Sequence, residues 1–392
     1  LVLGNIGQAS FSTDSDIRFQ SAYFNVNNLL QRTGRLDAAA DLVFAADQLY
    51  PTTFSKFSVS TPGRAVTFTK GADAAELPLS ANGSLTVEAR DIVQGGVLRA
   101  PFGNISLKAS NQLDLLAGSV TSVSGAGVTV PYGELQNGDQ WIYPNPLGSG
   151  ASEVLVAAPA KVVNLEAPTV KAAAGSVVDV SGGGDLFGSE FVPGVGGSRD
   201  YLASSNVFAI LPGYDAAFAP VDPVYASGST LKTGMQITIA AGAGLPAGTY
   251  TLLPARYGLL PGAFVVSSIG GYRDLAPTQT IAQADGSAIV GGRLGTAGTS
   301  ILESRSNGFL VEPGSTFLKR SEYRAYGAND TFAARNVRDG TSYELPKDGG
   351  RLSFAASTAL TQEGIIRLLA GAGGTASSAG RGGALEIAAP RI

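Results

Sequence analysis

One spacing constrains this chain more than any other feature. The pattern apolar-x-apolar-x-small-x-x-apolar recurs at Leu85-Val87-Ala89-Ile92, Val163-Leu165-Ala167-Val170 and Leu385-Ile387-Ala389-Ile392. It also fits Ile17-Phe19-Ser21-Phe24 and Leu42-Phe44-Ala46-Leu49. Ile105-Leu107-Ala109-Leu113 and Leu352-Phe354-Ala356-Leu360 carry one extra residue before the last apolar position. Gly83 to Ala89 and Gly103 to Ala109 align position for position, twenty residues apart. Ala117-Gly118-Ser119-Val120 through Gly125 aligns in the same way with Ala174-Gly175-Ser176-Val177 through Gly182.

Alternation with period two turns one face of a strand inward. The small residue marks a corner too tight for a large side chain, and the next apolar residue opens a second buried strand. A circuit of about twenty residues cannot bury its own face and must stack on another. The spacing therefore predicts an all-β fold, a right-handed parallel β-helix (solenoid). Its strands would stack about 4.8 Å apart, with internal ladders of Leu, Val, Ile and Ala. A β-sandwich also has short alternating strands, but it has no reason to repeat a corner residue in register.

The pattern is interrupted. It predicts β-helix circuits over 1–185 with a loop insertion about 131–150. A lateral loop region and an extra-helical β-subdomain follow over 186–348, and circuits resume over 349–392. The stretch from Leu186 to Val224 is rich in Gly, Pro and aromatic residues. Ile237-Thr238-Ile239, Gly248 to Pro254 and Gly262 to Val266 are strand-like runs split by Pro-Gly turns, the signature of a small antiparallel sheet. Pro254 and Pro261 belong at an edge or turn. Gly327 to Gly350 carries local charge and predicts an exposed loop, and Thr33 to Ala46 is the one candidate helix.

Composition narrows the function. The chain has 392 residues, with 52 Gly, 44% hydrophobic and only 15% charged residues, which is too apolar for disorder and too rich in Gly for long helices. A net charge of −4 gives no footprint for nucleic acid. With no Cys, disulfides and thiolate chemistry are excluded; with no His, the commonest general base and metal ligand is missing. Absence of Cys also fits export in an unfolded state. No apolar stretch is long enough to span a bilayer, so no transmembrane segment is expected. The chain starts at Leu1 and stops within an alternating run, as expected of an internal stretch of a longer polypeptide.

Many β-helices act on polysaccharides, so paired carboxylates matter. The candidates are Asp14 with Asp16, Glu88 with Asp91, and Asp179 with Asp185. Glu88 and Asp179 alternate with inward residues and should point outward. Lys108 lies in register with Glu88 and predicts a surface ion pair, worth a few tenths to about 1 kcal/mol. Gly182-Gly183-Gly184-Asp185 is an isolated fragment of a calcium-roll repeat and is expected to be a turn, as are Gly371 to Gly374 and Gly380 to Gly383. No metal or cofactor is expected. Trp141, Tyr143 and Tyr214 are the candidate ligand-binding residues, because aromatic faces stack on sugar rings; Tyr225 is a weaker one. The alternative is that they pack inward against the repeats.

These repeats, together with the segment Leu245-Pro246-Ala247-Gly248-Thr249-Tyr250-Thr251-Leu252-Leu253-Pro254-Ala255-Arg256-Tyr257-Gly258 and its continuation to Phe264, resemble large exoproteins of the filamentous haemagglutinin family. The resemblance implies secretion through an outer-membrane partner of a two-partner system, and a long extracellular β-helix. It implies a structural rod of a bacterial surface filament or adhesin, not an enzyme. Adhesion, biofilm formation or filament bundling would follow, with surface glycans or proteins as partners, or other copies of the filament. The family's secretion domain and any terminal toxin region are not recognisable in this stretch. A carbohydrate-active β-helix enzyme, a polysaccharide lyase or glycosidase, is the rival reading.

Overall fold

Parallel pairing of the repeats organises the first part of the chain. The structure is a computed structural model that describes residues 1–3, 6–194, 198–224, 234–319, 322–372 and 379–391. Strands make up 51% and helices 6%, so the protein is all-β with large parallel sheets. It divides into two compact units. Unit 1 is Leu1–Tyr132, Trp141–Phe187 and Tyr326–Ile392; unit 2 is Gly133–Gln140 and Gly188–Ala325. The chain thus returns to unit 1 at Tyr326, earlier than the return of the repeat at 349 suggests.

In unit 1 the long strands Lys56–Lys70, Ser84–Gly95, Asn104–Leu115, Val162–Ala172 and Arg351–Gln362 run parallel, each beside the next. Ala384–Ala388 pairs onto the last. Short strands alternate with them along the chain. Gln48–Pro51, Val97–Arg99, Val120–Ser122, Val177–Asp179 and Ile365–Arg367 belong to a second, six-stranded sheet that is also parallel. Each of these long strands shifts register near its middle, between Ala109 and Gln112 in one case. The small repeat residues Ala89, Ala109, Ala167 and Ala356 sit beside these shifts and are buried.

Register places like on like. Leu85, Ile105, Val163 and Leu352 are consecutive partners, as are Val87, Leu107, Leu165 and Phe354, and all are at most 1% exposed. Ile92, Leu113, Val170 and Leu360 form a third column beyond the corner. Burial follows from having a neighbour on both sides. Leu352 lies between two strands and is 0% exposed, whereas its partner Leu385 has one neighbour and is 42% exposed. Each fully buried Leu, Val or Phe contributes about 1.5–3 kcal/mol of transfer free energy. Toward the N-terminus, stacked rings of Phe11, Phe44 and Phe68 fill a further column, with centroids 5.1 and 5.4 Å apart.

Two N-terminal copies of the pattern occupy different places from those the spacing suggests. Leu42 and Phe44 pair with Val66 and Phe68, past the corner, and not with the Leu85 column. Ile17 pairs with Leu49 in the short-strand sheet. The copy in register with Leu85 is Phe57-Val59, preceded by Gly34-Leu36. Its corner residue is Thr61, whose buried hydroxyl donates to the Ala40 carbonyl at 2.7 Å. Thr33 to Ala46 is not helical but lies in strands Leu29–Ala38 and Asp41–Ala46. Parallel partners on either side override the helix propensity of its Ala run. The charged stretch after Gly327 is not an exposed loop: Ala328–Asp339 is an α-helix, ended by Gly340 at φ 62°, and Leu345, Lys347 and Asp348 are buried.

The stretch 131–150 is not one long loop: it holds strands Thr129–Gln136 and Gln140–Tyr143 before an irregular segment. The strand containing Trp141, Ile142 and Tyr143 pairs antiparallel with Glu153–Leu155. Unit 2 is built on an eight-stranded sheet whose pairings are antiparallel, including Gln236–Ile239 with Gly248–Thr251. Pro254 lies in the terminal strand of this sheet, where a missing N–H costs no ladder bond.

Candidate functional site

The aromatic candidates go inward. Trp141 and Tyr143 are both 0% exposed. The Trp141 indole donates to the Tyr132 carbonyl at 2.8 Å, and its ring packs on Phe332 at 5.4 Å. Tyr143 is stacked between Phe54 and Tyr132, at 4.0 and 4.7 Å between centroids. Neither offers a face to a sugar, because a hydrophobic ring cluster gains more from burial than a single solvated platform. Tyr214 is half-buried, and its hydroxyl donates to the Phe218 carbonyl at 2.6 Å. Tyr225, Gly373, Gly374 and Ile392 lie outside the described residues.

The acids disperse. Asp16 accepts from Gln48 at 2.9 Å, Asp91 from Arg90 and Asn111, and Asp179 lies 3.9 Å from Arg367. Glu88 and Lys108 are register partners, yet their side chains form no ion pair within 4.0 Å. Gly183 and Gly184 both have positive φ in an irregular segment, and strand Asp185–Phe191 opens directly after them. Burial pushes the Asp185 carboxyl up to about 6, against the opposing donors of Asn329 and Leu186.

Unit 1 also carries a polar knot that the sequence pattern did not reveal. Asp348 accepts from the Leu345 amide at 2.9 Å, and from the Arg381 amide and guanidinium at 2.6–3.0 Å. Burial raises its carboxyl, but the Arg381 bonds outweigh that and hold it below the usual carboxylate range. Nearby, Lys161 is 3% exposed and donates to the Pro346 carbonyl at 3.2 Å. Its desolvation lowers the ammonium to about 8.

Two concave sites stand out among the described residues of unit 2. In the first, Arg256, from the Leu-Pro-Ala-Gly-Thr-Tyr segment, pairs with Glu134 and donates to the Ser189 hydroxyl at 2.5 Å. Asp200 lies 4.0 Å from the same guanidinium and accepts from the Tyr323 hydroxyl at 2.7 Å. Burial, and then the Asp200 carboxylate, raise the Tyr323 phenol. Arg256 is therefore hydrogen-bonded to Glu134 and Ser189 with Asp200 nearby, in the manner of a structural tie.

The second site has unspent polar groups. Strand Phe264–Arg273 pairs with Asn307–Pro313, but its register jumps between Ser268 and Arg273, opposite only Phe309 to Asn307. The surplus residues Ile269 to Tyr272 bulge outward, helped by Gly271 at φ 90°. Beneath the bulge lies a cavity of about 390 Å³, floored by Leu294 and Phe309. Tyr272, Arg273, Glu303 and Asn307 stand around it, and Tyr272 is 37% exposed. Spacing could not find this site, because the bulge breaks the period-two alternation and its residues come from separate strands. The Gly270-Gly271 pair before an aromatic was the one local signal.

No protein-family model, no curated protein and no solved structure matches this chain.

Proposed function

We propose that this chain is a stretch of a secreted bacterial surface filament of the haemagglutinin-like kind, a rod and not an enzyme. In this reading unit 1 is a right-handed parallel β-helix that provides length and stiffness. Unit 2 presents a surface for contact with glycans or proteins, or with other filaments. The observation that carries the reading is register. Long and short parallel strands alternate along the chain, and Leu85, Ile105, Val163 and Leu352 pair in sequence. Parallel strands joined in this order need a crossover of fixed hand, which is right-handed in nearly all proteins. A second support is the recurrence of Ala beside the register shifts, where stacked circuits would turn.

The reading separates the two units by task, and a deletion tests that. Joining Phe187 to Tyr326 in the parent protein, which removes Gly188–Ala325, should leave surface filaments visible by electron microscopy. Adherence of the producing cells should fall severalfold. Unchanged adherence, or filaments lost together with it, would contradict the division.

A further inference from the structure

We propose that the Tyr272 pocket of unit 2 binds a neutral saccharide, one or two pyranose rings long. The proposal deepens the contact reading and rests on it only for biological use, because the pocket's chemistry does not depend on unit 1. A pyranose has an apolar C–H face and a rim of hydroxyls that both donate and accept. Tyr272 supplies a half-exposed ring for the face. Asn307 offers an amide that donates and accepts, Glu303 accepts, and Arg273 donates in a planar fork. Among the described residues, the side chains of Tyr272, Arg273, Glu303 and Asn307 have no hydrogen-bond or ion-pair partner within the chain, so their capacity is unspent. The floor of Leu294 and Phe309 is apolar, and the volume falls within the roughly 300–1,000 Å³ of small-molecule sites.

The pocket is also built in advance. Asn206 pins the start of the bulge, its amide donating to the Ser268 carbonyl at 3.2 Å while the Ser268 amide donates back to its carbonyl at 3.3 Å. The Glu303 amide donates to the Leu294 carbonyl at 2.7 Å. A Cβ on Gly308 would fall 2.5 Å from the Tyr272 Cβ, so glycine there lets the tyrosine lie against the sheet. The balance of one Arg and one Glu selects no net charge. An extended peptide is disfavoured, because strand Asn307–Pro313 is paired on both sides and has no free edge here.

Saturation-transfer NMR on the whole chain tests this, with glucose, galactose, mannose, N-acetylglucosamine, cellobiose and lactose as probes. At least one should receive transfer, strongest at its ring C–H protons. Tyr272→Ala should weaken that sugar about tenfold, while Tyr272→Phe, which keeps the ring, should retain it. Glu303→Gln gives an independent check at an exposed position and should also weaken binding. No transfer to any probe, transfer unchanged in both Tyr272→Ala and Glu303→Gln, or binding only of anionic sugars or peptides would overturn the proposal. Each of these failures leaves the stacking of unit 1 untouched, and that is measured separately.

Discussion

Replacing Leu107 by Ala is expected to destabilise unit 1 by about 2–5 kcal/mol, the range for a buried leucine truncated in a packed interior. Leu107 is 0% exposed and lies between Val87 and Leu165 on adjacent strands. The loss therefore falls on two strand-to-strand interfaces at once. Leu107→Asp goes further: it puts a carboxylate with no partner into that column and should prevent unit 1 from folding. The adjacent Lys108 is exposed, and Lys108→Ala should change stability by less than about 0.5 kcal/mol. Denaturant unfolding followed by circular dichroism compares the pair. Equal effects at 107 and 108 would mean that the strand has no inward face.

The second large effect is pH dependence from two buried groups, Asp185 and Lys161, both of which carry the cost of a buried charge around neutral pH. Asp185 has its carboxyl raised to about 6 by burial. Between the unfolded value near 4 and that figure the folded state holds more protons than the unfolded one, so stability falls as pH rises through this window. Lys161 is the mirror case. Its ammonium is lowered to about 8 by burial, so from pH 8 to about 10.5 the unfolded state holds more protons and stability rises. Each limb is on the order of 3 kcal/mol. The Asp348 carboxyl runs the other way, held low by Arg381, and its contribution is lost only as pH falls through the acid range. Difference profiles against single variants isolate the limbs. Asp185→Asn, which keeps the acceptor oxygen for the Asn329 and Leu186 amides, should gain on the parent from pH 4 to 6 and stay more stable above. Lys161→Met should lack the alkaline rise. A flat difference profile in either variant would remove that limb.

The central columns were legible because strand pairing converts a sequence period into contact. Leu85 and Ile105 are twenty residues apart and are direct partners, and Val163 and Leu352 follow although long insertions separate them. The N-terminal register was not legible. Leu42-Phe44 has the same alternation as Leu85-Val87, and a period of two is identical on either side of a corner. The residue in register with Ala89 is Thr61, not Ala, and its buried hydroxyl is satisfied by the Ala40 carbonyl.

The helix Ala328–Asp339 was hidden for a related reason. Its buried positions are Ala328, Asn329, Phe332 and Arg335, so a single large apolar residue marks the inward stripe. Asn329 and Arg335 are buried because they have partners: the Asn329 side chain donates to the Gly184 carbonyl at 2.9 Å, and Arg335 to the Leu155 carbonyl at 2.9 Å. Of the candidate site, only the residue class was legible. Trp141 and Tyr143 lie among other rings, whereas Tyr272, on a bulge, is 37% exposed.

Electron cryo-microscopy of the native assembly that contains this chain tests the account most directly. Parallel layers about 4.8 Å apart are expected, with Leu85, Ile105, Val163 and Leu352 following one another in a single internal column. A closed sandwich of antiparallel sheets, or those four residues on different faces, would contradict it.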